Sequence, residues 1–136
     1  MRNLELARDY FDRAARRLKA IDTLYAEKGW ADVVRESQEA VELALKALLR
    51  RSDVEVPRIH DVSDILRDNE QLLPRFAASH LDELCEASRR LRRDRELAFY
   101  GSEDLTPSSF YKEADARDAR KLARRVVEVV ARAFRK

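Results

Sequence analysis

The feature that most constrains this chain is a run of helix-forming residues, ADVVRESQEAVELALKALLRR from Ala31 to Arg51, whose apolar positions cover more than one face. Val34, Val41, Ala44 and Leu48 form one stripe at helical spacing; Val33, Ala40, Ala47 and Leu49 fill in beside it, with Leu45 between. A helix patterned this way is covered on two sides and acts as a central post. It contains no Gly or Pro, and Gly29 just before it is placed to end the preceding helix. Ser37 and Gln38 interrupt the apolar face; they either line a polar cleft or are satisfied polar groups between packed helices.

The rest of the chain follows helical spacing. Leu4, Ala7, Phe11, Ala14, Leu18, Ile21 and Tyr25 alternate steps of three and four, predicting a long amphipathic first helix. Lys28-Gly29-Trp30 is the turn joining it to the central helix as a hairpin, with Trp30 plugging the hairpin end or binding a ligand. Pro57 stops any helix, and Asp61 is placed to cap a short one carrying Val62, Ile65 and Leu66. Ala77, Leu81, Leu84, Ser88, Leu91, Arg95 and Ala98 form the next seam, which ends at LAFYG with Gly101 as a C-terminal cap. Arg95 on that seam must snorkel outward or be held by an anion, because an unpaired guanidinium is costly to bury. Leu97, Phe99 and Tyr100 cluster around it, either closing the bundle end or forming a site. Thr106-Pro107 is a local cap and first-turn pair, and Ala119, Leu122, Ala123, Val126, Val130, Ala133 and Phe134 are the inner face of the last helix. The expected fold is all-α: an up-and-down bundle of four long helices plus a short one, with residues 1–136 as a single domain.

Charge is uneven along the chain. Arg51 to Ser88 holds four Arg against nine acids, whereas Arg89 to Lys136 holds fourteen basic residues against eight acids. In the last helix Arg117, Arg120, Lys121, Arg124, Arg125 and Arg132 face only Asp118 and Glu128 within their span, which predicts a basic rod. Such a rod serves phosphates or an acidic partner, or is a solvated face balanced by neighbouring carboxylates. Cys85 is the one cysteine, so no internal disulfide forms, and with only His60 and His80 beside it no Cys/His metal set exists. The N-terminus is charged throughout and no long apolar run occurs, so a cytoplasmic protein without a membrane span or cofactor is expected. His60 is either an acid–base group or a structural hydrogen-bonder beside a cap.

Two stretches carry a family resemblance: SQEAVELALKALLRRSDVEVPRIHDV, an apolar helix followed by a Pro and then His60-Asp61, and RELAFYG at Arg95 to Gly101. In this order, over nearly the whole chain, they resemble prokaryotic HEPN domains. The resemblance implies a helical bundle that homodimerises, often beside a minimal nucleotidyltransferase in a toxin–antitoxin or stress module. Many members are metal-independent ribonucleases whose site is an Arg followed, after four to six residues, by a His near the dimer interface. Arg95 matches the Arg, but the later position reads Tyr100 and Gly101 in place of His. Tyrosine, with an unperturbed pKa of about 10, is a poor general base near neutrality. Arg75 and His80 also have the literal spacing, though toward the start of their helix.

Three readings follow. The first is a HEPN homodimer that binds nucleotide, RNA or a nucleotidyltransferase partner through Arg92, Arg95 and Tyr100, the family association also permitting nucleotide addition to the Tyr100 hydroxyl. The second is a metal-independent endoribonuclease in which Arg95 holds phosphate while Tyr100, or a borrowed His60 or His80, handles the proton. The third is a structural interaction dimer in which Arg95 and its aromatic neighbours only close the bundle.

Overall fold

The computed structural model describes residues 2–100 and 106–135, with side chains described for 3–91 and 106–135. Its α-helices are α1 (Arg2–Ala26), α2 (Trp30–Arg51), α3 (Ser63–Asp68), α4 (Arg75–Ala78), α5 (Leu81–Tyr100), α6 (Pro107–Phe110) and α7 (Glu113–Ala131). Short 3-10 turns occupy Glu70–Leu72 and Arg132–Phe134. No strand occurs among the described residues. The four long helices α1, α2, α5 and α7 make the expected all-α bundle. Three short helices, not one, fill its connections. None of the described helices is long and apolar enough to cross a membrane.

The sequence explains why α2 is the post. Its buried residues include Val33, Val34, Ala40, Val41, Leu45, Leu48 and Leu49, which point to several sides of one helix. It packs against α1, α5 and α7. Tyr25 near the end of α1 bonds Glu113 at the start of α7, while Phe11 stacks on Phe134 at 4.8 Å, so α1 and α7 run antiparallel. Arg90 and Glu83 on α5 face Asp118 and Arg125 on α7, which makes that pair antiparallel too. The order is therefore up, down, up, down.

Several boundaries differ from the sequence reading. Leu4 is 46% exposed rather than seamed, although Asn3 beside it meets Arg50 near the end of α2. Ala77 belongs to α4, and α5 starts only at Leu81, after a break at Ser79-His80. Thr106 caps the separate α6, its hydroxyl accepting from the Ser109 amide, so α7 begins later, at Glu113. Val127 and Val129 widen the inner face of α7 beyond the expected positions.

The hairpin turn is also built differently. Lys28, not Gly29, takes the left-handed conformation (φ 61°), with Gly29 at φ −83° as the N-cap of α2. The Lys28 amide donates to the Tyr25 carbonyl and the Gly29 amide to the Leu24 carbonyl, which closes α1 in a Schellman motif. Asp53 (φ 60°) closes α2 in the same way, its amide donating to Arg50 and that of Val54 to Leu49. Trp30 is already the first residue of α2 and meets the Tyr25 ring edge-on at 5.1 Å, closing the hairpin end. Lys28→Gly is expected to stabilise the protein by about 0.5–1 kcal/mol by relieving the left-handed side chain. A Cβ at Gly29 meets its nearest atoms only at 3.5 Å, so Gly29→Ala should change the urea midpoint little.

Candidate functional site

The loop after α2 carries His60 and Asp61, and these adjacent residues tie two long helices together. On one side, His60 Nδ1 lies 2.7 Å from Glu42 Oε1 on α2. On the other, Asp61 Oδ1 accepts from the Ser88 hydroxyl of α5 at 3.0 Å and from the Ser63 amide at 3.0 Å. The Ser88 hydroxyl oxygen accepts in turn from the Val62 amide at 3.1 Å. The N-cap of α3 is Val62, so Asp61 stands one residue outside the expected cap position, where its carboxylate accepts from the first helical amide, that of Ser63. Cys85 Sγ donates to the Ser63 carbonyl at 3.5 Å, fixing the same loop one turn earlier on α5.

Glu42 is the centre of the α2 side. Its side chain is 13% exposed, and it accepts from Gln38 Nε2 and from Lys46 Nζ, each at 3.0 Å, besides His60. Burial pushes its carboxyl pKa up, but the bonds from His60, Gln38 and Lys46 outweigh it and hold the group below its ordinary value. An ionised carboxylate only accepts, so the hydrogen of the His60 contact belongs to Nδ1. Asp61 is likewise held low: burial raises it, and the Ser63 and Ser88 bonds with the nearby Arg89 charge more than offset that.

Gln38 and Ser37 are both buried. Gln38 is used through its amide nitrogen, whereas Gln38 Oε1 and Ser37 Oγ have no hydrogen-bond partner among the described residues. The ladder Gln38, Glu42, Lys46 has a spacing of four along α2, beside its apolar faces. That spacing was the signal for Glu42, which the sequence reading passed over. Ser88 appeared there only as a seam position, and its tie to Asp61 needs the fold.

Arg92, Arg95 and Tyr100 continue α5 beyond Ser88, Arg92 by one turn and Arg95 by nearly two. Their side chains, with those of Leu97 and Phe99 and all of Gly101, lie outside the described residues. Arg75 and His80 are not brought together as a pair. Arg75 sits on α4 and borders a groove with Arg67 and Glu70, while His80 Nδ1 lies 3.3 Å from Glu83.

The expected basic rod is partly neutralised. Arg120 and Arg124 of α7 both reach Asp22 Oδ1 on α1, at 2.8 and 2.9 Å, and Arg125 Nε reaches Glu83 Oε1 on α5 at 2.7 Å. The Arg120 guanidinium also covers the Tyr25 ring at 4.7 Å. Glu83 is held below its ordinary pKa chiefly by the bond from Arg125. These carboxylates lie far away in sequence, so the local tally of charges misjudged the face. Among the described residues, no group of three or more His, Cys, Asp or Glu is placed to hold a metal ion.

No curated protein and no solved structure matches the chain. Residues 7–133 match the family model described as HEPN domain. With an all-α bundle of four long helices and a family match running through all of them, the chain belongs to the HEPN domain family.

Proposed function

We propose that two copies of this chain form a homodimer that binds RNA or a nucleotide on the face made by the second half of α5 and the His60-Asp61 turn. Arg92 and Arg95 take phosphate oxygens there, and Tyr100 contacts base or sugar. In this reading the dimer is the cytoplasmic binding subunit beside a minimal nucleotidyltransferase, in a toxin–antitoxin or stress module. The observation that carries it is the double tie of the turn: His60 to Glu42 on α2, and Asp61 to Ser88 on α5, one helical turn before Arg92. Membership of the HEPN family supports RNA as the ligand class. The engagement of Arg120, Arg124 and Arg125 with carboxylates argues against α7 as the phosphate face.

Titration of a labelled single-stranded RNA tests this. Arg95→Ala is expected to weaken binding about 10-fold and to lower the salt slope by about one counterion. Arg124→Ala should leave both nearly unchanged. Equal affinity and slope in wild type and Arg95→Ala would remove the reading.

The Glu42–His60 contact favours a second reading, a metal-independent endoribonuclease. His60 Nε2 takes the proton of a ribose 2′-hydroxyl, the freed oxygen attacks phosphorus held by Arg95, and the 5′-oxygen leaves with a proton from Tyr100 or water. The products are a 2′,3′-cyclic phosphate and a 5′-hydroxyl. This reading requires cleavage in excess chelator that disappears in His60→Ala. RNA left intact by the wild type eliminates it and keeps the binding reading.

A further inference from the structure

We propose that the end of the bundle where α2, α4 and the C-terminal 3-10 turn meet is a docking groove for an acidic peptide segment carrying one bulky apolar side chain. The groove encloses about 410 Å³, with Leu72, Pro74 and Phe76 as apolar lining and Arg51, Arg132 and Arg135 as cationic lining. No acidic residue lines it, although it borders the segment richest in acids.

Its charge state sets it apart. The α7 arginines facing α1 and α5 each reach a carboxylate, Arg120 and Arg124 sharing Asp22, but no described carboxylate lies within ion-pair distance of Arg51, Arg132 or Arg135. The end of α2 does not need Arg51 for its carbonyls. Ser52 already donates its amide and hydroxyl to Leu48 and its amide to Leu49, while Asp53 donates to Arg50. Among the described residues, then, nothing acidic holds these cations.

The apolar part selects the ligand class. Leu72 is 53% exposed, the most exposed large apolar side chain among the described residues. The Arg132 guanidinium lies over the Phe76 ring at 4.6 Å, so one ring face is already taken by a cation that the contact holds in position. A phosphodiester chain gives Leu72 and Pro74 little to bury and finds that face of Phe76 occupied. An acidic peptide satisfies both halves, with carboxylates on the arginines in charge-assisted bonds and one apolar side chain against Leu72.

The test uses the full chain and a short fluorescein-labelled peptide of Asp and Glu around one Phe, read by anisotropy. Saturable binding is expected, weakened at least about 10-fold by Arg135→Glu and about 3-fold or more by Leu72→Ser. Both residues lie at the surface, and circular dichroism confirms that each variant is folded. A peptide with Ser in place of Phe should bind more weakly, and Arg95→Ala should bind the original peptide as wild type does, separating this groove from the α5 face. The proposal is overturned if the peptide does not saturate, if both groove variants bind it unchanged, or if an RNA oligonucleotide displaces it. It is also overturned if Leu72→Ser dissociates an oligomer, which would make a second copy the occupant.

Discussion

Replacing Leu48 by alanine is expected to lower the stability of the fold by about 3 kcal/mol, because a buried leucine loses both its transfer energy and the packing around it. Leu48 is fully buried on α2, the helix against which α1, α5 and α7 all pack. A fully buried side chain in a helix packed against three others leaves a space that the bundle cannot readily close. The contrast is Leu4→Ala at the exposed start of α1, which should cost less than about 0.5 kcal/mol. Urea midpoints at one fixed protomer concentration check both, since the proposed dimer would add a concentration-dependent contribution to apparent stability. Equal midpoints would show that α2 is not the post on which the bundle rests.

Glu42→Ala is expected to destabilise by about 2–3 kcal/mol, because three donors lose a mostly buried charged acceptor at once. His60, Gln38 and Lys46 all aim at this carboxylate. Glu42→Gln keeps the shape but not the charge and should cost about half as much. The two variants also differ from wild type in acid. The folded pKa of Glu42 is depressed, so its contribution is fully present above the ordinary value of 4.5 and is lost as pH falls through the lower folded value. Wild type should therefore lose stability more steeply than Glu42→Gln below about pH 4.5. Asp61 and Glu83 are shifted the same way, so part of the acid sensitivity remains in the variant. Denaturation curves across that window, with parallel slopes for both proteins, would contradict the depressed state of Glu42.

The helical architecture was legible in the sequence because its signal is local. The stripe of Val34, Val41, Ala44 and Leu48, with Val33, Ala40, Ala47 and Leu49 beside it, marks a helix buried on more than one side without knowledge of its neighbours. Short elements were less legible. The turn Arg75–Ala78 reads as a continuation of the α5 seam because Ala77 and Leu81 keep helical spacing across a break at Ser79-His80. At the hairpin, Gly29 drew attention as the helix stop, while the left-handed position fell to Lys28, whose side chain gives no hint of it.

For the candidate site, the His60-Asp61 pair was visible, and the residues that hold it were not. Glu42 and Ser88 stand 18 and 27 positions away from their partners His60 and Asp61, so only the packing of α2 and α5 reveals the ties. The α7 charges failed for the same reason. Asp22 lies 98 residues from Arg120, and a tally within α7 cannot count it.

The proposed binding site joins the His60-Asp61 turn to the second half of α5. The most direct test is a double-mutant cycle on RNA affinity with His60→Ala, Arg95→Ala and the pair combined. One site predicts that the two effects are coupled by at least about 0.5 kcal/mol, because each residue orders the ligand that the other contacts. Strictly additive losses, or no loss from either change, would contradict it.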